Sequence, residues 1–97
     1  MNRVEETIKN NRQAIRQIAA RHGASNIRLF GSAARGESKA ESDVDFLIDV
    51  TAETSAWFPV GLIQELEKLL GRRVEIVTER ALKKELREKV LSEAVPV

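Results

Sequence analysis

The stretch from Asp43 to Val50 constrains the fold more than any other part of the chain, because its residues alternate in character. Successive residues of a β-strand point to opposite faces of a sheet. One face of this stretch would carry only apolar side chains, namely Val44, Phe46, Ile48 and Val50. The other face would carry Asp43, Asp45, Leu47 and Asp49. The alternation therefore predicts a half-buried strand over residues 43–50.

The first two carboxylates of this strand, Asp43 and Asp45, are not required for folding. Asp is a poor strand former, and like charges on one face of a strand repel each other. A divalent cation would offset that cost, and Mg²⁺ prefers oxygen ligands from carboxylates and substrate phosphates. The alternative is a carboxylate that caps the start of the strand, followed by a surface Asp.

A tight turn precedes this strand at Gly31-Ser32. Residues 26–30 are largely apolar and predict a first strand, and Gly31-Ser32 then opens a single helical turn through Arg35 that ends at Gly36. Glycine lets a ligand approach the backbone, and the hydroxyl of Ser32 adds a donor, so the turn fits a phosphate. Helix capping by Ser32 explains the same pattern, so the dipeptide by itself leaves both interpretations open.

The rest of the chain predicts three longer helices and a third strand. The helices cover about residues 2–22, 56–70 with Pro59 in the first turn, and 82–94 with Leu86, Val90 and Leu91 facing inward. A polar loop covers residues 37–41, a strand covers 73–77, and residues 95–97 form a short edge strand. We expect one domain over residues 1–97 of the α+β class, or α/β two-layer class: a small mixed sheet packed by helices.

Composition excludes several classes of site. The 97 residues carry 16 Lys and Arg against 15 Asp and Glu, and a net charge of +1 gives no strong attraction to nucleic acid or anionic membranes. The chain has no Cys and one His, His22, which excludes thiolate chemistry and a His-rich metal centre. No apolar run reaches membrane length. We expect a cytoplasmic protein.

A third carboxylate would complete a two-metal site, and Glu75 is the better candidate for it. Asp49 lies on the correct face, but four residues along a strand from Asp45 is about 13 Å, which is too far. In the strand 73–77, Val74 and Ile76 predict the core face and Glu75 the other. If this strand lies beside the second one, Glu75 lies near Asp43 and Asp45. Taken alone, Glu75 is as readily an exposed strand residue.

Taken together, these residues resemble a known family. Leu29-Phe30-Gly31-Ser32-Ala33-Ala34-Arg35-Gly36, followed by Ser42-Asp43-Val44-Asp45, is similar to the signature of the DNA polymerase β-like nucleotidyltransferase superfamily. The closer resemblance is to the minimal nucleotidyltransferases (MNT) of HEPN/MNT toxin–antitoxin pairs. It extends from about Ile27 to the C-terminus.

The resemblance implies a nucleotidyltransferase fold and a function. It implies Mg²⁺, ATP as the substrate, and transfer of AMP to a protein acceptor, a HEPN-type RNase toxin that is thereby neutralised. Gly31 and Ser32 would hold the triphosphate, with Arg35 and Ser42 also at the nucleotide, although Arg35 fits an internal salt bridge equally well. The metal and catalytic residues carried over are Asp43, Asp45 and Glu75.

Two features qualify what the resemblance implies. Glu75 replaces an Asp that is typical of the family, so a catalytically weak antitoxin that acts only by forming a complex is the alternative. The partner would have to supply the acceptor. We expect part of the docking surface to be formed by exposed apolar residues near Trp57 and Phe58.

Overall fold

A four-stranded mixed sheet organises the chain in the computed structural model, which describes residues 3–37, 43–50, 54 and 57–97. The helices are α1 (Arg3–Asn10), α2 (Arg12–Arg21), α3 (Val60–Leu70) and α4 (Lys84–Glu93), and a 3₁₀ turn spans Glu79–Ala81. The strands are β1 (Ala24–Phe30), β2 (Val44–Val50), β3 (Val74–Thr78) and β4 (Val95–Pro96). The predicted α+β fold class is confirmed.

The sheet has the strand order β3-β2-β1-β4. Strand β1 is antiparallel to both β2 and β4, whereas β2 and β3 are parallel. Parallel neighbours need a crossover connection, and α3 provides it. The short edge strand predicted at the end of the chain is confirmed, since Leu29 pairs with Val95 and the Val97 N–H donates to the Ile27 carbonyl at 3.1 Å.

One face of the sheet forms the core with α1, α2 and α3. Val44, Phe46 and Ile48 of β2 have no exposed surface and pack in one cluster with Ile15 of α2 and with Leu62 and Leu66 of α3. The predicted alternation is therefore confirmed for most of β2. The prediction is wrong for Val50, which is 45% exposed at the end of the strand, where the helices no longer cover the sheet. Leu47, on the opposite face, is fully buried.

Two helix predictions differ from the structure near helix starts. The helix expected over residues 2–22 is two helices, because the Asn11 side chain donates from Nδ2 to the Thr7 carbonyl at 2.7 Å and competes with the backbone ladder. The helix expected from residue 56 begins at Val60, so Pro59 is its N-cap rather than part of its first turn. A turn at residues 57–59 precedes it, and the Val60 N–H donates to the Trp57 carbonyl at 2.7 Å.

The prediction that α4 buries an apolar face is wrong. Leu86 is 51% exposed and Leu91 36% exposed, and only Val90 is partly buried. The helix is linked to the rest of the molecule by ion pairs instead: Arg87 with Glu79 at 3.0 Å, and Glu93 with Arg35 at 3.2 Å. Helical periodicity predicted the apolar stripe but not what would cover it.

Among the helices that the structure describes, none is both long enough and apolar enough to cross a membrane.

Candidate active site

The carboxylates predicted to act together lie on the face of the sheet opposite the main core. In the parallel ladder of β2 and β3, Asp45 is the register partner of Glu75. The ladder begins where the Val44 N–H donates to the Arg73 carbonyl at 2.9 Å. Asp43 directly precedes β2, two residues before Asp45. The conditional prediction that Glu75 lies beside Asp45 is confirmed by this register.

These carboxylates interact with each other. Burial, a hydrogen bond with Glu75 and the charges of Glu75 and Asp43 together raise the pKa of Asp45 to about 6. The carboxyl group of Asp45 is half-buried, whereas the Glu75 residue is exposed. A cation bound here would relieve the repulsion that raises this pKa. The site therefore favours positive charge.

Asp49 does not belong to this cluster. Its carboxylate accepts hydrogen bonds from Asn26 Nδ2 at 3.0 Å and from Arg28 Nη2 at 3.0 Å, and these partners lower the pKa of Asp49. Arg28 also reaches Glu79 at 3.5 Å, and Glu79 binds Arg87. The exclusion of Asp49 as a third metal ligand agrees with this placement.

The predicted tight turn, called here the signature turn (Gly31–Gly36), lies directly against Asp45. Gly31 has φ +73°, and a Cβ added to it would lie 2.5 Å from Asp45 Oδ2, closer than any real Cβ contact. Glycine is therefore required twice, by the left-handed backbone and by the close approach. The turn is closed by the Arg35 N–H, which donates to the Gly31 carbonyl at 3.3 Å, and it ends at Gly36 with φ +71°.

Ser32 and Arg35 have different surroundings in this turn. The Ser32 side chain makes no hydrogen bond with any residue that the structure describes, so no capping bond to those residues occupies its hydroxyl. Arg35 is ion-paired, with Nε 2.8 Å from Glu37 Oε2 and Nη1 3.2 Å from Glu93 Oε2. Of the two interpretations of Arg35, the internal salt bridge is the one present. Ser42, predicted at the nucleotide, lies outside the described residues.

Sequence reasoning missed Glu93. Its carboxylate comes from α4 and contacts Arg35 of the signature turn, 58 residues earlier in the chain. No local pattern signals such a pairing, since Glu93 looks in the sequence like one of several charges on a solvated helix face. The docking surface expected near Trp57 and Phe58 stays a prediction: Trp57 is 77% exposed, and Phe58 packs partly against the core.

The carboxylates do not form a complete metal cage. Within the described ranges, no group of three or more metal-ligating side chains is gathered closely enough to enclose an ion. Mg²⁺ usually binds one or two carboxylates and takes its remaining ligands from water and substrate phosphates. An incomplete cluster of carboxylates beside the signature turn fits that mode of binding.

The signature turn packed on Asp45, on the face of the sheet opposite the core, is the arrangement that a nucleotidyltransferase site would need. The family model of the nucleotidyltransferase domain matches residues 11–97. The chain belongs to this family, and the resemblance seen in its sequence is confirmed.

Particular relatives narrow the class. Protein adenylyltransferase MntA of Thermococcus cleftensis is 40% identical over 82 residues, which cover 84% of this chain and 83% of that protein. A candidate protein adenylyltransferase of Methanocaldococcus jannaschii is 38% identical over 80 residues, covering 82% and 86%.

Solved structures agree on the fold. A structure described as a candidate minimal nucleotidyltransferase is 45% identical and covers 96% of this chain and 95% of its own, with a TM-score of 0.85. A toxin–antitoxin structure with AMP-PNP has a TM-score of 0.70 at 21% identity, covering 95% of this chain and 70% of its own.

Proposed function

We propose that this protein is a Mg²⁺-dependent adenylyltransferase that transfers AMP from ATP to a HEPN-type toxin in the cytoplasm and thereby neutralises it. The observation that carries the proposal is the contact between Gly31 and Asp45, with Glu75 alongside. It brings a phosphate-binding turn against carboxylates that favour a cation. The names of the relatives support a protein acceptor. We take residues 1–97 as one minimal domain.

The proposed roles follow from the chemistry of each group. Asp43 and Asp45 hold Mg²⁺, with Glu75 as the third carboxylate, and the metal supplies positive charge to the triphosphate. Ser32 and the backbone of the signature turn bind phosphate oxygens. An acceptor hydroxyl gives its proton to solvent and its oxygen bonds to the α-phosphorus of ATP, while the bond from that phosphorus to the oxygen bridging it to the β-phosphate breaks and pyrophosphate leaves. These residues therefore orient the nucleotide, and a second protein supplies the acceptor.

The acceptor that we propose is a tyrosine of the toxin. This chain contains no Tyr, so modification of a tyrosine can occur only on another protein. An added AMP brings negative charge and bulk, which would block RNA at or near the toxin's active site.

Intact-mass spectrometry of this chain, the toxin encoded beside it, ATP and Mg²⁺ tests the proposal. We expect one or more AMP units on the toxin and none on this chain. The Asp43→Asn, Asp45→Asn double variant is the matched control and should give no added mass. AMP found only on a Ser or Thr of this chain would contradict the proposal.

A binding-only antitoxin is the second candidate, because Glu75 is exposed and stands where the family resemblance implies an Asp. Substitution at this position tests whether Glu75 is the third metal ligand. We expect Glu75→Asp to keep or raise the rate of AMP transfer, and Glu75→Gln to lower it. A fully active Glu75→Gln variant would remove Glu75 from the metal site.

A further inference from the structure

A cavity of about 160 Å³ lies behind the signature turn, between α1, the start of α2 and β4. Its floor is apolar and is formed by buried residues, namely Ile8, Leu29, Ala33 and Val97. Its rim is exposed and includes Val95, which is 44% accessible. An apolar cavity of about 150 Å³ is large enough for a benzene-sized group. This cavity therefore has room for one large apolar side chain.

Two cations stand on the rim without partners among the described residues. Lys9 and Arg12 are exposed, and neither makes a hydrogen bond or ion pair with any residue in the described part of the chain. The next cation along α2 differs, since Arg16 Nε donates to the Val97 carbonyl at 2.7 Å. Glu5 is the acidic residue of the lining, and its Oε1 lies on the side of the turn, near Gly36. Lys9 and Arg12 thus place positive charge on the rim that no described residue pairs.

We infer that Lys9, Arg12, Val95 and the cavity form an anchor surface for the acceptor protein. Its occupant is an acidic segment that inserts one large apolar side chain into the cavity and sets carboxylates against Lys9 and Arg12. This inference rests on the proposed function, because it assumes a protein acceptor. A buried apolar anchor beside complementary charge is the arrangement that concentrates binding energy at protein interfaces.

The position of the anchor surface favours the acceptor over an unrelated partner. Ala33 and Ala34 line the cavity and belong to the same turn as Gly31 and Ser32. A segment bound there would contact the same turn that carries Gly31 and Ser32 of the proposed phosphate site. The anchor would hold the acceptor protein against the signature turn from the helix-covered face of the sheet, by a contact that does not itself use the catalytic carboxylates.

Charge reversal on the intact chain tests the anchor surface. The variant Lys9→Glu, Arg12→Glu is compared with Lys68→Glu, Lys84→Glu, which makes the same charge change at positions outside this surface. With the toxin encoded beside this chain as the substrate, we expect the KM for toxin to rise about tenfold or more in the first variant. The kcat and the affinity for AMP-PNP should stay unchanged, and the control should stay within about twofold of wild type.

Further variants and measurements separate docking from damage to the fold. The charge-conserving variant Lys9→Arg, Arg12→Lys should restore a KM near that of wild type, and added salt should raise the KM of wild type more than that of the reversed variant. Val95→Asp should also raise the KM, because it places a charge at the apolar rim. Thermal melts identify any variant that fails to fold.

The outcomes distinguish a failure of the anchor surface from a failure of the proposed function. If wild type modifies the toxin and the reversed variant has an unchanged KM, the anchor surface is wrong while the proposed function stands. If wild type does not modify the toxin, the proposed function fails. In that case, calorimetric titration of the toxin into wild type and into the charge-reversed variant tests the anchor surface. Weaker binding by the variant supports the anchor surface, and equal affinities overturn it.

Discussion

At the scale of single residues, the contact between Gly31 and Asp45 joins the two halves of the candidate site. The glycine has a left-handed backbone, and the carboxylate occupies the space where a Cβ would lie. A change at either residue therefore affects the other. Gly71, which ends α3 with φ +68°, has the same backbone, but a Cβ added to it would meet no atom within 4 Å. Alanine at Gly71 would therefore introduce backbone strain alone, whereas alanine at Gly31 would introduce the same strain and also displace the carboxylate.

We expect Gly31→Ala to lower AMP transfer about 100-fold, because a reacting group displaced by about 1 Å costs roughly that much. An alanine held in the left-handed backbone conformation of residue 31 should also lower the folding stability by about 1–2 kcal/mol. Gly71→Ala should lose similar stability with unchanged transfer. Chemical denaturation and a pyrophosphate-release assay measure the two effects. Equal loss of transfer in both variants would show that strain alone is responsible.

The raised pKa of Asp45 predicts a dependence of stability on pH. Because its pKa rises from 3.8 to about 6, the folded state holds this proton more tightly than the unfolded state. The resulting cost is fully present above about pH 6 and is relieved as the pH falls toward 4. Asp45→Asn removes the carboxylate, so we expect the variant to melt above wild type at pH 7.5 and level with it near pH 4, both in EDTA.

Asp49→Asn is the matched control for this prediction. The pKa of Asp49 is lowered, first by the hydrogen bond from Asn26 and then by Arg28. Its ionised form stabilises the folded state, and that stability is lost as the pH falls through its lowered pKa. Asp49→Asn should therefore melt below wild type at neutral pH. If both variants melt above wild type at neutral pH, or both melt below it, the causes assigned to the two pKa shifts are wrong.

At the scale of elements, α4 differs from the other helices because it buries no residue. Helices α1, α2 and α3 pack on the sheet through apolar side chains, whereas α4 is linked through Glu93 to Arg35 and through Arg87 to Glu79. Surface ion pairs contribute about 0–1 kcal/mol each. We therefore expect α4 to open more readily than the other helices.

Glu93→Gln tests this attachment. We expect a loss of stability below about 1 kcal/mol, because the pair is partly exposed, and faster hydrogen exchange confined to α4. Glu88→Gln is the control, since Glu88 lies exposed on the same helix and makes no ion pair with a described residue. A loss of several kcal/mol, or faster exchange throughout the sheet, would show that α4 is part of the cooperative core.

At the scale of the whole molecule, the core and the candidate site lie on opposite faces of one sheet. The apolar side chains of β2 support the fold, while Asp45 and Glu75 on the other face contribute charge repulsion. The carboxylates can therefore be changed without loss of the core. We therefore expect substitutions in the candidate site to leave folding intact.

The Asp43→Asn, Asp45→Asn variant uses this separation in cells that produce the toxin. We expect it to fold at least as stably as wild type and to fail to rescue growth, because toxin is bound but not modified. Circular dichroism and co-purification with the toxin check folding and binding. Rescue equal to wild type would favour the binding-only antitoxin over the enzyme.

The sequence by itself determined the elements whose signals are local. Alternation defined β2, and the Gly-Ser pair defined the signature turn, because a strand period and a left-handed glycine depend on nearest neighbours. The start of α3 was misplaced and the break at Asn11 was not predicted as a helix boundary. A side chain that competes with the backbone ladder has an effect that apolar periodicity does not record.

Only the tertiary structure decided which distant groups meet. The register between β2 and β3 brings Glu75 beside Asp45 across 30 residues of chain, and no local pattern sets that register. The pairing of Glu93 with Arg35 and the exposure of Leu86 depend likewise on where α4 lies. Local propensity determines what each segment forms, whereas packing of the whole chain determines what each side chain contacts.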